Sequence, residues 1–209
     1  PVLWVIAVLT MVVGTVVGVS QTSIKRMLAY SSIAHAGYLL VAIIAANDIG
    51  KASLLFYLAS YAVTNVAAFG IIALLGSRES ANDELRDYAG LAHSHPALAA
   101  LLTVFLLSLG GFPPTAGFIA KWYTFSAAVT EGYYGLAIIG MLSSVVSVFF
   151  YLRIVVMMYM TERDARPVPP PVSGLAMAGL VVSMVAVVYL GVLPAQVIDW
   201  AEQSIATIF

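Results

Sequence analysis

Lys121 is the residue in this sequence with the clearest capacity for chemistry. It lies in 97–128, a run of apolar and small residues interrupted by Gly110-Gly111-Phe112-Pro113-Pro114-Thr115. A lysine in hydrocarbon costs about 2.5–3.5 kcal/mol on insertion scales, so it usually faces a bundle interior or a water-filled path. A helix broken by a Gly/Pro cluster close to a lone ionisable group is how ion-coupled membrane proteins build a site. A lysine held away from water can exchange its proton when a neighbouring charge changes. Together these features point to proton translocation. The competing reading is an anchor, with the lysine head at the interface and Trp122-Tyr123 beside it marking an aromatic belt.

Other polar residues recur at helical spacing. Lys25, Ser32 and His35 share a broad face of one segment, and Tyr57, Tyr61, Thr64 and Asn65 form a single stripe on the next. Ser143, Ser144, Ser147 and Tyr151 occupy a third. Facing stripes would make a wet seam along which protons hop between side chains and water. Each has a plainer reading. Ser, Thr and Asn in membrane helices mostly bond neighbouring helices, at about 0.6 kcal/mol each. Lys25 with Arg26 begins a span, where snorkelling anchors are ordinary. His35 titrates near neutrality in its unperturbed state and is either a relay station or a satisfied packing histidine. Tyr30, Tyr38, Trp122, Tyr123, Tyr133 and Tyr134 read as interfacial or packing aromatics.

The elements that must position these groups are membrane helices. The 209 residues are 62% hydrophobic and 9% charged, against about 25% charged in soluble domains, and the mean hydropathy is +1.00. A net charge of −1 and the absence of any basic run give no sign of a nucleic-acid partner. With no cysteine, cysteine-ligated iron–sulfur clusters, disulfides and thiol catalysis are excluded within this sequence. Residues 2–20 lack a basic n-region and a small-residue cleavage site, so they read as a mature span of a longer chain.

About 20 apolar residues cross a bilayer core as a helix. Six segments qualify: 2–19, 24–46, 52–76, 97–128, 133–159 and 173–193. The expected fold is therefore an all-α polytopic membrane bundle, without the alternation of an outer-membrane barrel. Two regions are expected, 1–161 as the translocating membrane domain and 172–209 as a closing span with a tail. Lys25, Arg26, Arg78, Arg86, Arg153, Arg163 and Arg166 fall at one set of alternate helix ends and only Lys51 at the other. The positive-inside rule then places the ends after spans one, three and five in the cytoplasm. As one helix, 97–128 would be about 48 Å long at 1.5 Å per residue, against a core of about 30 Å. Pro113 and Pro114 each lack a backbone donor. Two half-helices joined at Gly110–Thr115, around Gly110, Gly111, Pro113 and Pro114, solve both problems.

Three runs carry a resemblance. They are Gln21-Thr22-Ser23-Ile24-Lys25-Arg26-Met27-Leu28-Ala29-Tyr30-Ser31-Ser32-Ile33-Ala34-His35-Ala36-Gly37-Tyr38, the 107–121 run ending in Phe118-Ile119-Ala120-Lys121, and Ser143-Ser144-Val145-Val146-Ser147-Val148-Phe149-Phe150-Tyr151-Leu152-Arg153. Together they resemble the antiporter-like membrane subunits of bacterial proton-translocating NADH:quinone oxidoreductase, respiratory complex I, over nearly the whole chain. The resemblance implies two inverted five-helix repeats, of which this sequence is the second plus one closing helix. It assigns Lys121 to proton exchange with the outer side and sets His35, Lys25, Tyr57, Tyr61, Thr64 and Asn65 along a central polar axis. NADH, flavin, iron–sulfur clusters and quinone are then expected in partner subunits, membrane and peripheral, and the location is the bacterial inner membrane.

Three other classes compete. A subunit of a multisubunit Na⁺/H⁺ antiporter or membrane-bound hydrogenase shares the core. A haem protein would need paired axial ligands, and His35 is the only intramembrane histidine, His93 and His95 falling in a connection. A structural scaffold would leave Lys121 without a transport role.

Overall fold

Capping chemistry decides where these apolar runs become separate helices. A computed structural model describes residues 1–76, 83–162 and 172–208, with side chains through 204, and among the described residues there are nine α-helices. Helix α1 spans Val2–Val19. Ser23 caps α2 (Ile24–Ala45), its hydroxyl accepting from the Arg26 amide at 3.3 Å, and Ala46 ends the helix in a left-handed turn. Asn47 caps α3 (Asp48–Leu75) by accepting from the Gly50 amide at 2.7 Å. Such caps satisfy backbone donors that a helix start leaves open. A 3-10 turn, Leu85–Tyr88, and the short α4 (Leu91–Ser94) follow. Helices α5 (Pro96–Gly110) and α6 (Ala116–Thr130) come next, then α7 (Tyr134–Met160), α8 (Gly174–Val192) and α9 (Ala195–Ile208).

Five of these, α1, α2, α3, α7 and α8, are long and apolar enough to cross a membrane, while α5 is an apolar helix too short to do so alone. The expected fourth span is two 15-residue helices separated by 111–115, within a residue of the predicted break. The tail beyond 193, unassigned from sequence, forms α9, which buries Ile198 and Ala201 and exposes Trp200. Arg78, Arg163, Arg166 and the 167–171 proline run lie outside the described residues.

The described basic residues are divided between the two ends of the bundle. At one end the α1–α2 turn is stitched to 83–85 by Ile24 N to Asp83 O (2.8 Å) and Leu85 N to Thr22 O (2.9 Å), and Gly90 N reaches Met157 O on α7 at 3.2 Å. Lys25, Arg26, Arg86 and Arg153 gather at this end. At the other, the Asn47 side-chain amide donates to Ala127 O and to Glu131, both at 3.1 Å. Lys51 belongs to this second end.

The apolar core is divided in the same way. One buried cluster joins the start of α2, the end of α3, α5, α8 and the end of α7. A second joins α1, the later part of α2, the start of α3, α6 and the start of α7. Buried polar side chains are flanked by members of both: Leu109, Ala116 and Tyr151 from the first, Tyr38, Tyr57 and Ala120 from the second.

Candidate functional site

The break between α5 and α6 sets the site. Helix α5 ends at Gly111, whose φ of +84° is left-handed, a conformation glycine adopts without the penalty a Cβ brings. The Gly111 and Phe112 amides both return to Leu107 O, at 2.9 and 3.0 Å. The Leu109 and Gly110 carbonyls remain for another donor, as the last carbonyls of any helix do. Two close approaches hold the halves around the gap. A Cβ on Gly117 would collide with the Ser108 carbonyl, and one on Gly191 of α8 with the backbone at Pro114 and Thr115. The Ser108 hydroxyl also accepts from the Gly117 amide at 3.3 Å.

Lys121 supplies the missing donor. On α6 it is 5% exposed, and its Nζ donates to Leu109 O at 2.9 Å, Gly110 O at 3.1 Å and Ser144 Oγ of α7 at 2.8 Å. The first two partners form the C-terminal end of α5, where the helix dipole favours a cation. Trp122 alongside is 62% exposed, so the two neighbours face opposite ways and the ammonium is turned inward. An interfacial-anchor geometry is therefore not what Lys121 adopts. Its Nζ also stands 5.2 Å from the centre of the Tyr38 ring.

His35 occupies a second polar knot on α2. Its Nδ1 is 2.8 Å from the Tyr57 hydroxyl and its Nε2 3.4 Å from that of Tyr151. The Tyr151 hydroxyl is hydrogen-bonded in turn to Ser31. Tyr61 stacks on the imidazole with centroids 4.8 Å apart, and Tyr38 meets it edge-on at 5.5 Å. A cavity of about 10 Å³ lies among His35, Tyr57, Ser60, Tyr61, Thr64, Ser108, Leu109 and Gly117, close to the least space one water molecule requires. It joins the α3 stripe to the helix break.

The predicted residues thus divide. His35, Tyr57, Tyr61, Thr64 and Lys121 come together with the break, and Asn65 is half-buried one position beyond Thr64. Lys25 does not join them: it is ion-paired to Asp83 at the bundle end, with its side chain 44% exposed. Ser144 and Tyr151 enter the site from the α7 stripe read in the sequence, and two residues outside the stripes join them, Tyr38 and Ser31. Tyr38, read from sequence as an interfacial or packing aromatic, is 1% exposed and touches both the lysine and the histidine. Its signal was available, since Tyr38 follows His35 by three residues and so shares its helix face. Among the described residues no group of three or more His, Asp or Glu could hold a metal ion.

The family described as NADH:quinone oxidoreductase/Mrp antiporter, TM, matches residues 1–147. NADH-quinone oxidoreductase subunit N of Trichlorobacter lovleyi is 47% identical over 210 residues, covering 99% of this chain and 42% of that protein. The chain therefore spans about two-fifths of the length of that relative. A chain of respiratory complex I from Thermus thermophilus with bound aureothin superimposes with a TM-score of 0.84 at 33% identity, over 95% of this chain and 44% of that one. A chain of the Mrp complex from a Dietzia species does so at 0.85 with 22% identity, over 96% and 46%, which speaks for the fold alone. A helix broken around an inward-turned lysine is thus set in a sequence that belongs to the NADH:quinone oxidoreductase/Mrp antiporter transmembrane family and is homologous to NADH-quinone oxidoreductase subunit N.

Proposed function

We propose that this chain is a proton-conducting part of subunit N in a proton-translocating NADH:quinone oxidoreductase, with Lys121 as the group that exchanges the proton. The observation that carries this reading is the lodging of a buried amine on the free carbonyls of a broken helix. Such a site binds a proton without needing a redox centre. NADH, flavin, iron–sulfur clusters and quinone belong to partner subunits, whose electron transfer reaches Lys121 as a change in nearby charge or shape.

In this reading α5 and α6 together make a sixth crossing, so 1–161 forms one five-helix repeat of an inverted pair and α8 with α9 closes it. The basic bundle end faces the cytoplasm of a bacterial inner membrane, and Lys121 releases its proton toward the opposite side. His35, Tyr57, Tyr61, Thr64 and Asn65 supply the route along which Lys121 is recharged, through the small cavity beside the break. Lys25 stands at the cytoplasmic edge of that route. Its ion pair with Asp83 supports an anchoring part at least as well as a relay.

The test is Lys121→Met in the assembled complex within sealed vesicles. Methionine keeps the bulk and removes the exchangeable proton. The expected result is a clear fall in protons moved per NADH oxidised, or in turnover itself. Normal values of both would remove Lys121 from the mechanism. The same vesicles address the other branch named in the family description, an Mrp-type antiporter subunit. Sodium-dependent proton exchange without any need for NADH would establish that branch instead.

A further inference from the structure

Among the described residues, Lys121 has no acid beside it. Every described carboxylate stands at a helix end, in a connection or on α9, and none pairs with the buried amine. Its polar partners are two carbonyls and one hydroxyl, all neutral. The remaining neighbour with negative potential is the face of Tyr38, 5.2 Å from Nζ. That is within the distance at which a cation is drawn to an aromatic ring, and the attraction grows where water is excluded.

The ring is held in a fixed pose. Tyr38 is 1% exposed, with Phe125 of α6 meeting it edge-to-face at 5.8 Å and His35 meeting it at 5.5 Å. Next to it, a Cβ on Gly37 would run into Met11 of α1, so the backbone that carries the ring is packed hard against α1. The Tyr38 hydroxyl points toward Thr15 and Ser147 without closing a hydrogen bond of normal geometry. Its ring is therefore better placed than its oxygen.

We propose that Tyr38 is the positioning residue of Lys121: its ring, in place of a carboxylate, holds the ammonium at the helix break. A carboxylate would bind the proton as well as the charge and would compete for it. An aromatic face attracts the cation and has no basic atom to take the proton, so the lysine stays placed while remaining free to exchange. The same ring touches both titratable groups, with Nζ over its face and the His35 ring edge-on to it. This inference rests on the reading of Lys121 as the exchanging group.

A fluorination series tests it. In the assembled complex, Tyr38→Phe is compared with replacement of Tyr38 by 3,5-difluoro- and 3,4,5-trifluorophenylalanine, introduced by nonsense suppression, with Lys121→Met as the control. Fluorine drains the ring face of negative potential at almost constant size, so packing alone does not respond to it. Tyr38→Phe, which keeps the ring and removes the hydroxyl, sets the reference rate of NADH-driven proton movement. The trifluoro ring is expected to lower that rate about threefold or more below Tyr38→Phe, with the difluoro ring between. Equal rates for Tyr38→Phe and both fluorinated rings overturn the proposal. So does a Tyr38→Phe rate already as low as the trifluoro one, which would assign the role to the hydroxyl. Unchanged proton movement in Lys121→Met overturns the underlying reading of the lysine, and the inference about Tyr38 with it.

Discussion

Two lysines in this chain are built into opposite surroundings. Lys25 begins α2 at the basic end of the bundle, half-exposed and paired with Asp83. Lys121 lies at a break inside the bundle, 5% exposed, on two backbone carbonyls, a serine and an aromatic face. A half-exposed ion pair of this kind contributes at most about 1 kcal/mol. The buried amine instead meets neutral partners, dipoles and a ring. The difference teaches that depth alone does not set Lys121 apart. Among the described residues it has no acid partner, and an interrupted helix supplies two of its carbonyls.

Breaking that contrast starts at the helix break. Gly111→Val puts a branched side chain on a residue with φ +84° whose Cβ would stand 3.0 Å from Lys121 Cδ. Left-handed backbone costs a residue with a Cβ about 1–2 kcal/mol, and the lysine must also move. The expected outcome is loss of at least tenfold in proton movement or failure to accumulate in membranes. Immunoblotting of the assembled complex beside the vesicle assay separates the two. Normal assembly with normal activity would mean that the tight cap at Gly111 does not position the amine.

Ser144→Ala gives a smaller and sharper effect. It removes one of three hydrogen bonds to Nζ, and bonds to a charged group contribute about 1.5–3 kcal/mol. Two carbonyl partners remain, so proton movement should fall a few-fold with assembly intact. Ser147→Ala is the paired control, because the Ser147 hydroxyl donates to the Ser144 backbone carbonyl at 2.6 Å and does not touch the amine. Equal losses in the two variants would show that α7 acts through packing and not through the Ser144 hydroxyl.

Much of this site was legible in the residues, for reasons that can be named. The length of 97–128 and its two prolines forced an interruption, and the expense of a charge in hydrocarbon singled out Lys121. Helical spacing put Tyr57, Tyr61 and Thr64 on one face, and they do line the cavity beside the break. What spacing could not supply was register between helices. Ser144 was visible as one of three serines, but nothing in α7 alone distinguishes the serine that meets Lys121 from Ser143, one residue earlier. Tyr38 was assigned to packing because an aromatic in a membrane helix normally packs. Its contact with Lys121 depends on how α2 meets α6. The 83–85 stitch to the start of α2 pairs Lys25 with a residue some 60 positions away in sequence, beyond the reach of any local pattern.

That long-range pair supplies the gentlest way to sharpen the comparison. Lys25→Ala removes one partner of a half-exposed ion pair, while the backbone bonds Ile24 N to Asp83 O and Leu85 N to Thr22 O remain to hold the segment. The stability change should be below about 1 kcal/mol and should shrink as salt is raised toward 0.5 M, because exposed charges are screened over about 10 Å or less above 0.1 M. Proton movement in vesicles should stay within about twofold of the parent value. A loss as deep as that of Lys121→Met, unaffected by salt, would instead make Lys25 a member of the route. The contrast between the two lysines would then be one of position along a single path, with Asp83 acting as the gate at its entrance.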